Sequence, residues 1–171
     1  FKVKHLVEWL EDVKMKKATL IALIVIAIIV IYFGLGSRSG GYTILSDFNG
    51  EMNFYKSQSC GCCGLYSKYL ESKGKLNINV VNMQDLSSIK TKYEVPSILE
   101  SCHTTIIGDY FVEGHVPLEA IEKLMEEKPD IKGIGMPGMP SGSPGMPGAK
   151  NGYFTIYSVN KDGSQDVFMT L

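Results

Sequence analysis

Met52 to Gly74, MNFYKSQSCGCCGLYSKYLESKG, is the most informative segment of this chain. Its first residues, Met52 to Lys56, are typical of a short β-strand, and Gly64 to Lys73 have a helical pattern that Gly74 ends. Three of the four cysteines lie between these two elements, in the sequence CGCC at positions 60–63. The segment therefore predicts a strand, a cysteine-rich turn and a helix in direct succession.

The residues that follow continue the alternation of strands and helices. A run rich in β-branched residues predicts a second strand, and the helix after it should end before Pro96, because the residue preceding a proline disfavours the helical conformation. Gly108-Asp109 predicts a hairpin, and Pro117 begins a helix with one apolar face. The predicted strands are at 78–83, 104–107 and 110–113, and the predicted helices at 85–93 and after 117. This order, β-α-β-α-β-β-α, is that of the thioredoxin fold, a mixed sheet with flanking helices.

Composition sets the expected domain limits. Residues 129–151 are rich in Gly, Pro and Met, which predicts a long loop, and two strand-like runs around residues 160–163 predict a terminal β-hairpin. We therefore expect a linker at 37–50, a thioredoxin-like metal-binding domain at 51–128, and at 129–171 a Met-rich loop and hairpin packed on that domain.

An apolar run precedes this domain. Ala18 to Phe33 contains no charged residue, and the glycine-containing residues 34–36 extend it towards the roughly 20 residues that cross a bilayer. A buried core helix and a cleaved signal peptide are the alternatives, but the run exceeds the usual h-region of about 7–15 residues and no A-x-A-like cleavage site follows. We expect one transmembrane helix, an uncleaved signal anchor, at 18–36.

Charge predicts the orientation of this anchor and excludes one class of partner. Lysines at 14, 16 and 17 precede the apolar run, whereas Arg38 alone follows it closely, so the positive-inside bias places the N-terminus in the cytoplasm. We expect an amphipathic cytoplasmic segment at 1–17 and a single-pass protein of the cell membrane with an extracytoplasmic C-terminal domain. The net charge of −1 argues against nucleic acid, which requires a strong basic excess on one face.

The four cysteines form two groups, the CGCC turn and the pair Cys102-His103. A turn at the start of a helix favours thiolates, because unpaired N–H groups and the helix dipole stabilise an anion there. In the thioredoxin fold, the loop before the third strand passes beside this turn, so the two groups should meet. The expected metal ligands are Cys60, Cys62, Cys63, Cys102 and His103.

The donor types limit the identity of the metal. Thiolates and an imidazole suit Cu(I), Zn(II) or an iron–sulfur cluster, and we favour Cu(I). Adjacent thiolates can also bridge two metal ions, so the site could hold more than one Cu(I). Structural zinc is the main alternative metal, although zinc sites commonly use two separate C-x-x-C knuckles. Without metal, Cys60 and Cys63 have the spacing of a thiol–disulfide oxidoreductase and would then be its catalytic residues.

Three methionines and one histidine are further candidate ligands. Met136, Met139 and Met146 lie in the Gly/Pro-rich loop, where their thioethers would bind Cu(I) or, alternatively, serve as adaptable packing. For His115, which precedes Val116-Pro117, we prefer a role in orienting a ligand, or an exposed position at the start of a helix, over direct ligation.

Several motifs together resemble those of one protein family. They are YKS at 55–57, CGCCG at 60–64, VP at 95–96, SCHT at 101–104, EGHVP at 113–117, GMP at 138–140 and SPGM at 143–146. They are similar to the CopG copper-resistance proteins, which are thioredoxin-like and distinct from the ribbon–helix–helix repressors of the same name. The resemblance covers about Asn53 to Leu171.

This resemblance implies an extracytoplasmic protein of copper handling, with the CGCC turn and the Cys-His pair at its copper site. Two function classes remain open, a copper-binding resistance protein and an oxidoreductase that acts on disulfides or on copper itself. A membrane tether would raise the concentration of the domain near a copper transporter or chaperone, which are the candidate partners.

Overall fold

The computed structural model describes residues 24–26 and 41–171. Residues 42–171 make one compact unit. The predicted cytoplasmic segment at 1–17 lies outside the described residues, as does the predicted anchor at 18–36 except for residues 24–26, which are helical. In the part of the chain that the structure describes, no helix has both the length and the apolar character required to span a bilayer.

One seven-stranded sheet organises the described domain. Its strands are β1 (Met52–Ser57), β2 (Ile78–Met83), β3 (His103–Ile107), β4 (Tyr110–Glu113), β5 (Ile131–Gly135), β6 (Thr155–Asn160) and β7 (Gln165–Thr170). Their order is β2-β1-β3-β4-β5-β6-β7. β1 pairs with β2 in parallel, as β4 does with β5, and the other neighbours are antiparallel. The predicted mixed α/β class is confirmed.

Within residues 42–171, the helices are α1 (Thr43–Ser46), α2 (Gly61–Gly74), α3 (Ser87–Lys92) and α4 (Leu118–Glu127). From β1 to α4, the elements follow the predicted order β-α-β-α-β-β-α. Helix α2 begins at Gly61, three residues before its predicted start at Gly64. The reason is that Cys60 caps the helix, since the Cys60 sulfur accepts a hydrogen bond from the Cys63 amide at 3.3 Å. The cysteine-rich turn is therefore the first turn of the helix itself.

Two segments predicted to be irregular contain regular structure. Within the predicted linker at 37–50, α1 buries Leu45 completely, and the carboxylate of Glu122 accepts hydrogen bonds from the amides of Ile44 and Leu45 at 2.9 Å each. Within the predicted loop, β5 joins the sheet in parallel with β4. Both elements depend on partners distant in sequence, which local patterns do not show. Because β6 pairs with β5, the terminal hairpin continues the sheet rather than packing on it.

The core lies on both faces of the sheet. Ile107 and Val112 belong to the larger cluster of buried residues, whereas their neighbours Ile106 and Phe111 belong to the smaller one. Since successive side chains of a strand point to opposite faces, the two clusters cover opposite sides of the sheet. The larger cluster also contains the α2 residue Tyr66, so it supports the helix that begins at the cysteines.

Candidate metal centre

The four cysteines converge at the N-terminus of α2. Cys60, Cys62 and Cys63 come from the CGCC turn, and Cys102 immediately precedes β3. The Cys102 sulfur lies 3.0 Å from that of Cys60 and 3.3 Å from that of Cys63, while the sulfurs of Cys60 and Cys62 are 3.5 Å apart. All four sulfurs lie within 4.8 Å of one another, and we call these residues the thiolate set.

Two of these sulfurs are joined in the structure. Cys60 and Cys63 form a disulfide, while Cys62 and Cys102 are free and partly exposed. A disulfide sulfur lacks the negative charge that makes a thiolate a metal ligand. The complete thiolate set therefore exists only after this bond has been reduced.

Cys102 lies in a different environment from the cysteines at the start of the helix. Burial, and next the neighbouring Cys62, raise the pKa of the Cys102 thiol to about 11. The thiol is consequently protonated at neutral pH in the absence of a cation. A soft metal ion at this position would displace the proton, because a coordinating thiol is deprotonated by the charge of the ion.

His103 is fully buried behind the cysteines. Its Nε2 lies 3.0 Å from the carbonyl oxygen of Gly114, and its Nδ1 lies 3.5 Å from the sulfur of Cys63. Since a carbonyl only accepts, Nε2 carries the proton and the Nδ1 lone pair faces the sulfurs. Burial, followed by the neighbouring His115, lowers the pKa of His103 to about 3, so this imidazole is neutral at physiological pH.

His115 is also fully buried, and the expectation that it is an exposed residue at the start of a helix is wrong. Its ring lies 5.0 Å from that of His103 and 5.0 Å from that of Tyr66, and its Nδ1 lies 2.6 Å from the carbonyl oxygen of Pro144. The sequence does not show this burial, because the covering segment is 29 residues further along the chain. His115, His103 and Cys102 each place one donor atom within 4.8 Å of the others. We call these three residues the imidazole set.

The three candidate methionines occupy different environments. Met139 places its sulfur 3.9 Å from that of Cys102. Met136 is 1% exposed and belongs to the larger core cluster. Met146 is partly buried in a turn, where its amide donates to the carbonyl of Ser143 at 2.8 Å. Of the three, Met139 is the one that the described geometry brings to the cysteines.

The loop that carries Met139 packs closely on the start of α2. Gly145 has a φ of +79°, and a Cβ built on it would lie 2.8 Å from the backbone nitrogen of Tyr66. A larger residue would therefore push the loop away from the helix, because it combines an unfavourable φ with a steric clash. This contact holds the Gly/Pro/Met-rich segment beside the cysteines.

Sequence reasoning missed one polar group that supports the site. The carboxylate of Glu113 is fully buried and forms an ion pair with Lys90, and it accepts hydrogen bonds from the Ser101 amide at 2.6 Å and the Thr104 hydroxyl at 2.7 Å. These two residues flank Cys102-His103, so Glu113 fixes the backbone that presents them. The available signal was a charged residue within an otherwise apolar strand, YFVE at 110–113.

Two solved structures, of forms 1 and 2 of a copper resistance protein CopG, are similar to this chain. Each is 35% identical with a TM-score of 0.65, and the match covers 71% of this chain and 96% and 97% of theirs. The chain belongs to the CopG copper-resistance family. A family model described as a protein of unknown function, DUF411, matches residues 99–146 of this CopG-family chain. No curated protein matches it.

Proposed function

We propose that this CopG-family protein binds Cu(I) on the thiolate set, in copper resistance or homeostasis. The observation that carries the proposal is the convergence of four sulfurs within 4.8 Å, from two segments about 40 residues apart. Thiolates select soft ions. Neighbouring thiolates can hold more than one Cu(I) when one sulfur bridges two of the ions. The two solved relatives are copper resistance proteins, which supports copper as the cargo.

Met139 favours Cu(I) over zinc as the occupant. Its thioether lies 3.9 Å from the Cys102 sulfur, and thioethers are ligands for Cu(I). A structural zinc site, by contrast, is commonly closed by four cysteine or histidine ligands arranged as two knuckles. The crowded CGCC turn has a different arrangement, in which three of the four sulfurs come from one helical turn.

Loading of the thiolate set is linked to reduction. Opening the Cys60–Cys63 disulfide takes up two electrons and two protons from a dithiol reductant and gives two thiols. Copper binding then displaces protons from the sulfurs. The site therefore takes up its full complement of Cu(I) only in the reduced protein.

The disulfide also favours a second function, a thiol–disulfide or copper oxidoreductase that uses Cys60 and Cys63. An external thiolate that attacks the Cys60 sulfur would break the bond and release Cys63 as a thiolate. We infer that the domain is thioredoxin-like, which suits it to such chemistry. The support is that β1 pairs in parallel with β2 and antiparallel with β3, and that the cysteines lie at the β1–α2 junction. On this interpretation, β5, β6 and β7 extend the thioredoxin-like sheet.

We also propose that residues 18–36 anchor the protein in the cell membrane and that the copper-binding domain is extracytoplasmic. The support is the uncharged apolar run and the lysines before it. A disulfide in the domain agrees with an oxidising compartment. A tethered domain of this kind would exchange copper with a membrane transporter or a copper chaperone.

The copper assignment is tested on the full chain, purified and reduced under anaerobic conditions. We expect Cu(I) to compete successfully with a chromogenic chelator and to displace bound Zn(II) completely, because four soft donors are assembled at one place. Metal content is measured by mass spectrometry before and after the competition. Zinc that is retained in the presence of excess Cu(I) would overturn the assignment and indicate a structural zinc site.

A further inference from the structure

The seven-stranded sheet ends in β2 on one side and in β7 on the other, and these two edges differ. β7 contains a bulge at Phe168, which is skipped in the pairing with β6, and the carbonyl oxygen of Phe168 accepts a hydrogen bond from the Lys123 ammonium at 3.2 Å. The same strand carries the charge of Asp166. A bulge and charged side chains are the usual means by which an edge strand avoids pairing with another chain.

Within its residues Ile78–Met83, β2 has none of these features. The surrounding sequence, LNINVVNMQ at 76–84, contains no charged residue and no proline, and β2 pairs with β1 without a register shift. The side chain of Val80 is 38% exposed. A regular, uncharged edge of this kind is a template for a further strand.

The backbone of β2 shows which residues would form that pairing. The carbonyl of Met83 accepts a hydrogen bond from the Gln58 amide at 3.3 Å, so the backbone groups of Met83 face β1. Successive residues of a strand direct their backbone groups alternately to its two sides. Those of Ile78, Val80 and Asn82 therefore point away from β1, towards the open edge.

The charges at the two ends of β2 indicate what the further strand is. Val80 lies midway between Lys75 and Asp85, which are both exposed and have no ion-pair partner within residues 42–171. If a second β2 lies antiparallel with Val80 opposite Val80, Lys75 of each copy comes near Asp85 of the other. The same register places the outward backbone groups of the two Val80 residues opposite each other, as a hydrogen-bonded pair requires.

We propose that β2 is the interface of a symmetric dimer, in which it pairs antiparallel with β2 of a second copy of this chain, centred on Val80. The interface is self-complementary, as a two-fold axis requires. Val80 is in register with Phe54 of the larger core cluster, so the two Val80 side chains meet on that face of the sheet and add an apolar cross-strand contact.

This dimer leaves both candidate metal centres accessible. β1 runs parallel to β2, and the CGCC turn follows the C-terminal end of β1. Because the two copies of β2 run in opposite directions, the two cysteine turns lie at opposite ends of the joined sheet. Pairing at this edge therefore covers neither of them.

The association is measured by sedimentation of the metal-free full chain in detergent solution over a range of concentrations. One strand from each copy makes an interface smaller than about 1,200 Å², which is typical of weak, reversible complexes, so we expect a monomer–dimer equilibrium. Val80→Lys should raise the dissociation constant at least about tenfold, since it places like charges directly opposite each other. Val80→Pro should also weaken the dimer, because it removes an outward amide at an edge position that tolerates proline.

The other edge strand provides a matched control. Val167 of β7 is 62% exposed, and Val167→Lys should leave the dissociation constant unchanged. Cu(I) binding by the reduced Val80→Lys chain should equal that of the unchanged chain, which shows that the variant is folded and separates this inference from the proposed function.

Cross-linking tests the contact directly. Opposed residues of a hydrogen-bonded pair have Cα atoms about 5.5 Å apart, a separation that a disulfide can bridge. Oxidation of the Val80→Cys chain with diamide should therefore give a covalent dimer joined through position 80, identified by mass spectrometry, above the level of the unchanged chain. Val167→Cys is the control, since random collisions would favour this more exposed position.

Charge variants test the register. Lys75→Asp and Asp85→Lys should each weaken self-association, whereas a mixture of the two should form a heterodimer at least about threefold more tightly than either homodimer, because both ion pairs are then attractive. Equal association in the separate and mixed samples would overturn this register.

Three results would overturn the interface itself. The first is a chain that remains monomeric at every concentration, and the second is a dimer whose dissociation constant is the same in Val80→Lys. The third is cross-linking at position 80 that does not exceed cross-linking at position 167.

Discussion

The two sides of the candidate site are built in different ways. The CGCC turn supplies three sulfurs from four consecutive residues at the start of one helix. The imidazole set comes from two strand ends, and the carbonyl of Pro144 on a third segment orients one of its rings. A cysteine-rich turn is thus a local structure, whereas the opposite side depends on the correct assembly of distant parts. Changes far from the metal should therefore affect the imidazole side more strongly than the turn.

The largest effect that would test this comparison is expected at Glu113. Glu113→Gln removes the charge that pairs with buried Lys90, and breaking a buried pair in this way destabilises a protein by about 3–5 kcal/mol. Denaturant unfolding of the metal-free chain measures it. Because the Glu113 carboxylate also holds the Ser101 amide, copper bound through Cys102 should weaken as well.

A matched control exists on the surface. Glu94 forms an ion pair with Lys132, and its side chain is 65% exposed. Glu94→Gln should leave both stability and copper binding nearly unchanged, because exposed pairs contribute little. Equal effects of the two substitutions would show that the Lys90–Glu113 pair does not support the imidazole side.

A smaller effect on Cu(I) affinity should distinguish Cys102, which belongs to the imidazole set, from Cys62 of the CGCC turn. In the structure, the Cys102 sulfur lies within 3.3 Å of two other sulfurs, whereas Cys62 contacts Cys60 at 3.5 Å. We expect Cys102→Ser to lower Cu(I) affinity about a hundredfold, or about 2.7 kcal/mol, and Cys62→Ser only about tenfold. Chelator competition on the reduced variants provides the two affinities.

The same two variants bear on the alternative function. A pure oxidoreductase needs only Cys60 and Cys63, so both variants should then retain disulfide exchange and bind copper as the unchanged protein does. That outcome would contradict the thiolate proposal.

The most gradual effect concerns acid stability. The pKa of His103 is lowered to about 3 by burial, against about 6.5 in the unfolded chain, and that of His115 is also lowered by burial. Between these values the unfolded state binds the proton and the folded state does not, so stability falls as pH decreases from about 6.5 towards about 3. The slope is about 1.4 kcal/mol per pH unit for one such histidine.

The slope is measured by denaturant unfolding of the metal-free chain at several pH values. Carboxylates also titrate in this range, so the comparison is with His103→Leu, in which the histidine contribution is absent. An identical pH dependence in the variant would show that His103 does not remain neutral in the folded protein.

The sequence predicted the elements from β1 to α4 because their signals are local. Strand-forming runs, Gly74 at a helix end, Pro117 at a helix start and the CGCC spacing each involve neighbouring residues. The meeting of Cys102 with this turn also followed, since the predicted element order places the two groups together.

What the sequence did not show depends on contacts between distant residues. Helix α1 is capped by Glu122, and β5 needs β4 as a partner despite its two glycines. The burial of His115 depends on the segment that contains Pro144. In each case the stabilising partner lies outside any local window, so neither propensity nor periodicity indicates it.

Cys60 has one further property that follows from its position as the cap of α2. Its sulfur accepts the hydrogen bond of the Cys63 amide, so the same atom caps the N-terminus of the helix and takes part in disulfide chemistry and, by our proposal, in metal binding. A charged thiolate accepts more strongly than a disulfide sulfur. The resonance of the Cys63 amide proton, and its exchange with solvent deuterium, would consequently register the chemical state of Cys60. Nuclear magnetic resonance could follow this natural probe in the intact protein without any added label at the cysteines.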